Sequence, residues 1–333
     1  VLATGKIAHR FATDLQQLPD ARLVAVGARR LESAQEFARE FPRRDGGTVR
    51  AHGSYAALAA DPDVDVVYVA SPHGLHPEHV RMLLEAGKPV LCEKALTLNA
   101  AQAEDLVALA AEKGLFLMEA MWMACHPLVR HLRERVRAGD FGRPRQLVAD
   151  LGWVVELPPS DRMLDPALGG GALLDMGVYP LTLAQLFLGE PAELTAVTHK
   201  APSGIDLNLV LAARYDGGAV AALTTSMTSN SPRTATIATD TGRLDFPEPF
   251  HHPPYVTWTP YVDGQVKQPQ RIVPPGPVIG TGLGNEAAEV MRCLRAGELE
   301  SPWVPHQQTL SVLRQMDAVR AALGVVYPGE AHL

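Results

Sequence analysis

Along its first third the chain repeats one pattern, a short apolar run followed by a stretch with apolar residues at helical spacing. RLVAVGA precedes RLESAQEFAREF, VDVVYVAS precedes LHPEHVRMLLEAG, PVLCEK precedes NAAQAEDLVALAAEKG, and LFLMEAMW closes the series. Short buried strands alternating with amphipathic helices predict a parallel, doubly wound α/β (Rossmann) sheet with right-handed crossovers. After about residue 145 the texture changes. PRQLVADLGWVVEL, AELTAVTHKA, DLNLVLAARYDGGAVAALTTSMT and RTATIATDTGRLDF alternate with period two, and YDGGAV between two such runs signals a hairpin. These predict an α+β domain with an open, mostly antiparallel sheet and helices on one face. Near the end, Leu310, Leu313, Met316, Val319 and Leu323 form the apolar stripe of a helix over about 305–324. The expected division is 1–121 and 122–333, with that last helix a candidate to pack back on the first domain.

A length of 333 residues suits two domains, and 47% apolar with 20% charged residues is the balance of an ordinary globular protein. The net charge of −7 sets nucleic acid aside, because phosphate binding needs a concentrated basic face and FPRRDGGTVR is too short to make one. No stretch nears roughly 18 consecutive apolar residues, and no basic segment with an apolar signal core opens the sequence. No membrane contact is expected, and the cytoplasm is the expected compartment. Cys92, Cys125 and Cys293 are far apart and odd in number, which fits reduced thiols. His251 and His252 adjoin, and His73, His76 and His79 stand three apart. The pair lies in a Pro-rich stretch and the triplet has only Glu78 as a neighbouring carboxylate, so no metal is expected.

VLATGKIAHRFATDL reads as a strand end, a turn of small residues and an amphipathic helix, the layout that seats pyrophosphate on a helix N-terminus. The G-x-G-x-x-A fingerprint falls on Ala3, Thr4, Gly5, Lys6, Ile7 and Ala8, with Ala3 in the place of the first glycine. One glycine in such a turn is common; the setting points to a cofactor, because this is the first βα unit and the next strand ends about twenty residues on, at GARRLESA. At that point Asp or Glu holds the NAD ribose, whereas a 2′-phosphate needs Arg. Arg29 and Arg30 follow with no acid before Glu32, so NADP is expected over NAD, with Arg29 on the phosphate and Arg30 stacking on adenine. A solvated helix start is the other reading of the same arginines.

In PVLCEKALTLN, Glu93 and Lys94 end an otherwise apolar strand, at the carboxyl edge where open α/β sheets place ligands. In GGGALLDMGVYPLTLAQLF, a helix from about Gly171 puts Asp175 and Tyr179 on one face. Pro180 complicates this by removing a helical hydrogen bond, and a helix beginning at Pro180 with Asp175 in a loop is the alternative.

In order, ATGKIA, VYVASPHGLHPEHV, LCEKALTLN and GGGALLDMGVYPL closely resemble the Gfo/Idh/MocA oxidoreductase family, in particular its branch similar to dimeric dihydrodiol dehydrogenase and NADP-linked D-xylose dehydrogenase. MEAMW and the C-terminal ESPWVPHQQTLSVLRQMDAVRAALGVVYPGE resemble that branch too, so the similarity covers almost the whole chain. The resemblance implies that Lys94 holds the substrate oxygen beside the nicotinamide and that Asp175 and Tyr179 belong to the active site. It implies cofactor contacts at Ser71, Pro72, His73 and His76, a role for Glu93 on the ribose or on Lys94, a pocket wall at Trp122 touching cofactor and substrate, a substrate contact at Arg162, and a homodimer. As plain structure, His73 and His76 would mark a helix N-terminus and Trp122 would be core. Three departures stand out: Ala3, Ala95 for the proline of the E-K-P motif, and Ala124 where relatives often carry Arg. Proline fixes φ but offers no reacting group, so Ala95 should change loop stiffness rather than chemistry.

When a carbinol C–H gives up a hydride, its O–H must lose a proton to a base within hydrogen-bond reach. A free tyrosine, pKa about 10, is a poor base at neutral pH, and a neighbouring ammonium with an oxidised nicotinamide would favour its phenolate. The expected roles are therefore Tyr179 as general acid/base, Lys94 as oxygen anchor, and Asp175 orienting Lys94 or a substrate hydroxyl. The leading expectation is an NADP-dependent dehydrogenase of a sugar, polyol or vicinal diol, with an NADPH-dependent reductase of a keto or aldehydo sugar as the alternative. A non-catalytic NADP(H) sensor is the reading from another class, and it has no need of a proton relay.

Overall fold

The computed structural model describes residues 1–330. The chain divides into two compact units, one of residues 1–125 and 278–310, the other of residues 126–277 and 311–333. By compactness the first unit takes in residues 122–125 and 278–310 as well as the expected 1–121.

The first unit runs α1 (Lys6–Leu15), β1 (Ala25–Gly27), α2 (Leu31–Glu40), β2 (Arg50–His52), α3 (Tyr55–Ala59), β3 (Val67–Val69), α4 (His76–Glu85), β4 (Val90–Glu93), α5 (Ala100–Lys113), β5 (Leu117–Ala120) and α6 (Trp122–Cys125). β1 pairs with β2, β3 with β4, and β4 with β5, all parallel. Leu2 bridges the two groups, pairing with Gly27 on one side and Val69 on the other. The spatial order is β2, β1, Leu2, β3, β4, β5, the half of a doubly wound sheet whose ligand crevice lies at the carboxyl ends. Its strands are buried throughout in β1, β3, β4 and β5, which is why they read as unbroken apolar runs. Local signals end the helices where expected. The Asn99 side chain accepts from Gln102 N to begin α5, and Gly114 at φ 63° ends it.

The second unit contains α7 (Pro127–Arg137), β6 (Pro144–Gly152), α8 (Val178–Leu188), β7 (Glu193–Lys200), β8 (Asp206–Arg214), β9 (Val220–Ser226), β10 (Ala235–Thr239), β11 (Gly242–Phe246), β12 (Val256–Val262), β13 (Gln265–Val266) and β14 (Gln270–Ile272). The sheet order is β13-β12-β11-β10-β6-β9-β8-β7, with β14 also on β12. Its pairs are antiparallel except β6 with β9, which run parallel. The YDGGAV hairpin forms between β8 and β9, where Tyr215 N donates to Ala219 O and Gly218 takes φ 82°. β8 and β9 bury alternate residues, as period-two strands with one covered face must. The helix layer on that face is mainly α8, which is buried along nearly its whole length. The run Pro166–Leu188 is long and apolar enough to cross a membrane by length and composition alone, and most of it is buried inside the protein.

α9 (Leu283–Ala296) belongs to the first unit, and α10 (His306–Leu323) begins there and continues in the second. In α10 Leu310, Leu313, Met316 and Val319 are buried as the stripe predicted, while Leu323 is half-buried.

Candidate active site

The turn after Leu2 has the shape a dinucleotide needs. Ala3 takes φ 76°, a conformation suited to the glycine it replaces, and its N–H donates to Gly27 O at 2.9 Å. Gly5 caps α1 with no side-chain acceptor, and a Cβ there would meet nothing within 4 Å. Thr4, Gly5, Lys6 and Ile7 are partly or fully exposed. An open helix N-terminus with uncapped N–H groups and room for close approach fits the phosphates of a dinucleotide. Arg29 and Arg30 are exposed just past β1. Arg30 Nη2 donates to Ser33 Oγ at 3.1 Å. Burial raises the Tyr55 phenol and lowers the His79 imidazole; the Arg29 charge opposes the first shift and adds to the second.

Lys94 follows the last residue of β4 and is partly exposed. Its carbonyl lies 2.9 Å from His73 Nε2, and the next carbonyl, of Ala95, lies 2.9 Å from His76 Nδ1. His76 Nε2 is 2.7 Å from Ser71 O, and the Ser71 hydroxyl meets His79 Nδ1 at 2.9 Å. Burial lowers the His76 pKa to about 4, so the neutral ring carries one N–H and links to one of its two carbonyls at a time. His73 and His76, expected as cofactor contacts, thus have ring nitrogens on the backbone around Lys94, because the turn after β3 lies beside the end of β4. Pro72 precedes that turn as the N-cap of His73–Leu75.

Glu93 is buried, and the Tyr68 hydroxyl donates to its Oε1. Tyr68 stacks on Phe11, ring centroids 3.7 Å apart, and burial together with the Glu93 charge holds its phenol well above the usual range. Glu286 on α9 is fully buried with neither carboxyl oxygen hydrogen-bonded, and burial with the Glu93 and Asp14 charges keeps it protonated far above the usual carboxylate range. Trp122 is 6% exposed and its ring would lie 3.0 Å from a Cβ on Gly282, so this aromatic packs against the entry to α9.

In the second unit, Leu173–Gly177 form a π-helical turn that runs into α8. The expected helix from about 171 therefore exists, with a wider turn before Pro180. Asp175 and Tyr179 are 5% and 7% exposed. Arg162 Nη1 donates to Asp175 Oδ1 at 3.1 Å. The Tyr179 ring lies against His251, centroids 4.7 Å apart. The turn is anchored from β8, because Leu173 N donates to Asp206 Oδ2 at 2.5 Å. Gly171, at φ 129°, leaves space that a Cβ would lose, since it would come 2.5 Å from Asp206 Oδ1. Burial raises the Asp206 pKa to about 7, against the pull of the Leu173 amide.

A cavity of about 980 Å³ in the first unit borders Val24, Ala25 and Val66, at the amino ends of β1 and β3. Lys94 is at the opposite, carboxyl end of the sheet, so cavity size does not mark the catalytic candidates. Among the described residues, no group of three or more His, Cys, Asp and Glu is arranged to hold a metal ion.

Three further residues were not singled out in the sequence, and His251 was named there only beside His252 as a metal candidate. Glu119 in β5 accepts from Leu96 N at 3.0 Å, and Asp206 and Tyr68 act as described. Glu119 carried a signal, an acid inside the apolar run LFLMEAMW; the others depend on partners distant in sequence.

Residues 1–121 match the model described as the oxidoreductase family, NAD-binding Rossmann fold, and residues 129–245 match the GFO/IDH/MocA C-terminal domain. The chain is 36% identical to a trans-1,2-dihydrobenzene-1,2-diol dehydrogenase of Oryctolagus cuniculus, over all of both chains. It is 35% identical to a D-xylose 1-dehydrogenase (NADP(+)) of Hypocrea jecorina, over 98% of this chain and 92% of that one. Among solved structures, a 3-ketoreductase from Actinomadura kijaniata in complex with NADP and TDP-benzene superposes with a TM-score of 0.83 at 30% identity, covering 96% of each chain.

Proposed function

The chain belongs to the Gfo/Idh/MocA oxidoreductase family, and from that premise we propose that it is an NADP-linked dehydrogenase acting on a carbinol of a sugar, polyol or vicinal diol. The observation that carries the reading is the fixed backbone of Lys94 at the carboxyl end of β4, the edge at which an open α/β sheet presents ligands. The named activities of the relatives, on a dihydrodiol and on D-xylose, supply the substrate class.

Bound NADP supplies the nicotinamide that exchanges a hydride with the substrate carbon. The chain's residues do the rest. The uncapped start of α1 receives the pyrophosphate, and Arg29 takes the 2′-phosphate, with Arg30 beside the adenine. Ser71 and Pro72 line the cofactor side of the turn after β3. The Lys94 ammonium holds the carbinol oxygen and stabilises negative charge as it develops there. Tyr179 takes the carbinol proton, and Asp175, itself held by Arg162, orients the polar groups around that oxygen. In the reducing direction Tyr179 returns the proton. A 3-ketoreductase at 30% identity favours reduction of a keto sugar as the second reading.

Two further proposals complete the account. The uncovered sheet face carries Val148, Val197, Val210 and Val220, each more than 40% exposed, and supports pairing with a second copy into a homodimer. The buried free cysteines support a reducing compartment, the cytoplasm. The test is the absorbance of reduced nicotinamide during incubation with NADP and a panel of pentoses, hexoses and cyclic diols, and with NADPH and keto sugars. Turnover on a member of either panel supports the proposal; tight NADPH binding with no turnover on any would favour a sensor.

A further inference from the structure

The E-K-P motif of the family is E-K-A in this chain, so the segment carrying Lys94 lacks the ring that would fix its φ. The structure holds the same segment by other means. Three consecutive residues, Lys94, Ala95 and Leu96, each have a backbone group against a side chain from elsewhere. Lys94 O meets His73 Nε2 at 2.9 Å, Ala95 O meets His76 Nδ1 at 2.9 Å, and Leu96 N donates to Glu119 Oε1 at 3.0 Å. The three side chains come from three places: the short turn His73–Leu75, the first residue of α4, and β5. Glu119 is itself held, its Oε2 accepting from Thr309 Oγ1 at 2.9 Å, while the single N–H of the neutral His76 ring is shared between Ala95 O and Ser71 O, the latter 2.7 Å from Nε2. Ala95 and Leu96 are 0% and 1% exposed, so the segment is also packed on all sides. Burial raises the Glu119 carboxyl, and the Thr309 and Leu96 hydrogen bonds and the Lys94 charge act against that rise.

We infer that His73, His76 and Glu119 are positioning residues for Lys94, locking its backbone from three elements and supplying the stiffness that Ala95 cannot. The inference rests on the reading of Lys94 as the oxygen anchor. It makes the two histidines act through the backbone rather than through the cofactor. A misplacement of about 1 Å can cost about a hundredfold in rate, so a lysine on a long flexible stem gains more from a fixed Cα than from any single contact.

The experiment pairs two readouts on the full-length protein: amide hydrogen exchange at Leu96 without ligands, and kcat alongside the Kd for NADPH. Glu119→Ala should speed Leu96 exchange and lower kcat by about 10- to 100-fold while the NADPH Kd stays at the wild-type value. Glu119→Gln keeps an acceptor oxygen and should restore both. Adding Ala95→Pro to Glu119→Ala should recover a large part of kcat. Unchanged Leu96 exchange in Glu119→Ala overturns the inference, and so does faster exchange with unchanged kcat. A rise in NADPH Kd matching the fall in kcat in His76→Ala would return that histidine to the cofactor site. If Glu119→Ala does not fold, His73→Phe keeps the ring, removes its nitrogens and carries the same comparison for the Lys94 segment. A wild type that turns over no substrate sinks the proposed function, and the exchange readout still decides whether the three side chains hold the loop.

Discussion

The Tyr179 ring rests against the His251 imidazole, centroids 4.7 Å apart and planes tilted by 37°. The contact joins α8 to the loop before β12 and limits the directions in which the phenol can point. Ring packing and hydroxyl chemistry are therefore separable at this position. Tyr179→Phe keeps the face against His251 and deletes the proton carrier. It should lower kcat by about 10²- to 10⁴-fold with NADPH affinity unchanged, as measured by steady-state kinetics and fluorescence titration. Wild-type kcat in the variant would remove Tyr179 from the chemistry.

Asp206 gives a pH signature to the anchor of the same helix. Its folded pKa, raised to about 7 by burial, stands above the ordinary value of 3.8. Between those values the folded protein keeps a proton that the unfolded chain has released, so stability falls as pH rises, by about 1.4 kcal/mol per unit from this group. Asp206→Asn retains an oxygen for Leu173 N and loses the titration. Urea midpoints from pH 4 to 7 should therefore fall less steeply in the variant than in the wild type; parallel curves would contradict the assignment.

Ala3 holds φ 76°, where an L side chain costs about 1–2 kcal/mol. Ala3→Gly relieves this and should raise the thermal midpoint by a few degrees. A lower midpoint would mean that glycine's extra freedom in the unfolded chain outweighs the relief.

Arg29→Ala tests cofactor choice. Charge-assisted hydrogen bonds contribute about 1.5–3 kcal/mol, so the NADPH Kd should rise about 10- to 100-fold while the NADH Kd stays put. The wild-type preference should also shrink with salt. Equal weakening for both cofactors would show that Arg29 serves the fold or the shared part of the nucleotide.

Much of this was legible along the chain. The first unit's strands announce themselves because both faces are buried, and Asn99 and Gly114 bound their helix by local hydrogen bonding and backbone freedom. YDGGAV closes its hairpin for the same local reason. What could not be read depends on partners far off in sequence. The π turn at 173–177 is anchored by Asp206 in β8, and β6 runs parallel to β9 although its other neighbour, β10, is antiparallel. Residues 278–310 join the first unit partly because the buried Asp14 carboxylate accepts from Thr281 N at 2.8 Å and Leu283 N at 3.0 Å. His73 and His76 were visible as motif positions, but their bonds to the Lys94 segment appear only once β3 and β4 lie side by side.

The central claim is that Lys94 anchors the reacting oxygen. The most direct measurement compares wild type and Lys94→Met in NADP-dependent oxidation of the best substrate from the panel, with NADPH Kd measured on both. The account predicts a fall in kcat of at least about a hundredfold with cofactor affinity retained. Wild-type turnover by Lys94→Met would contradict it.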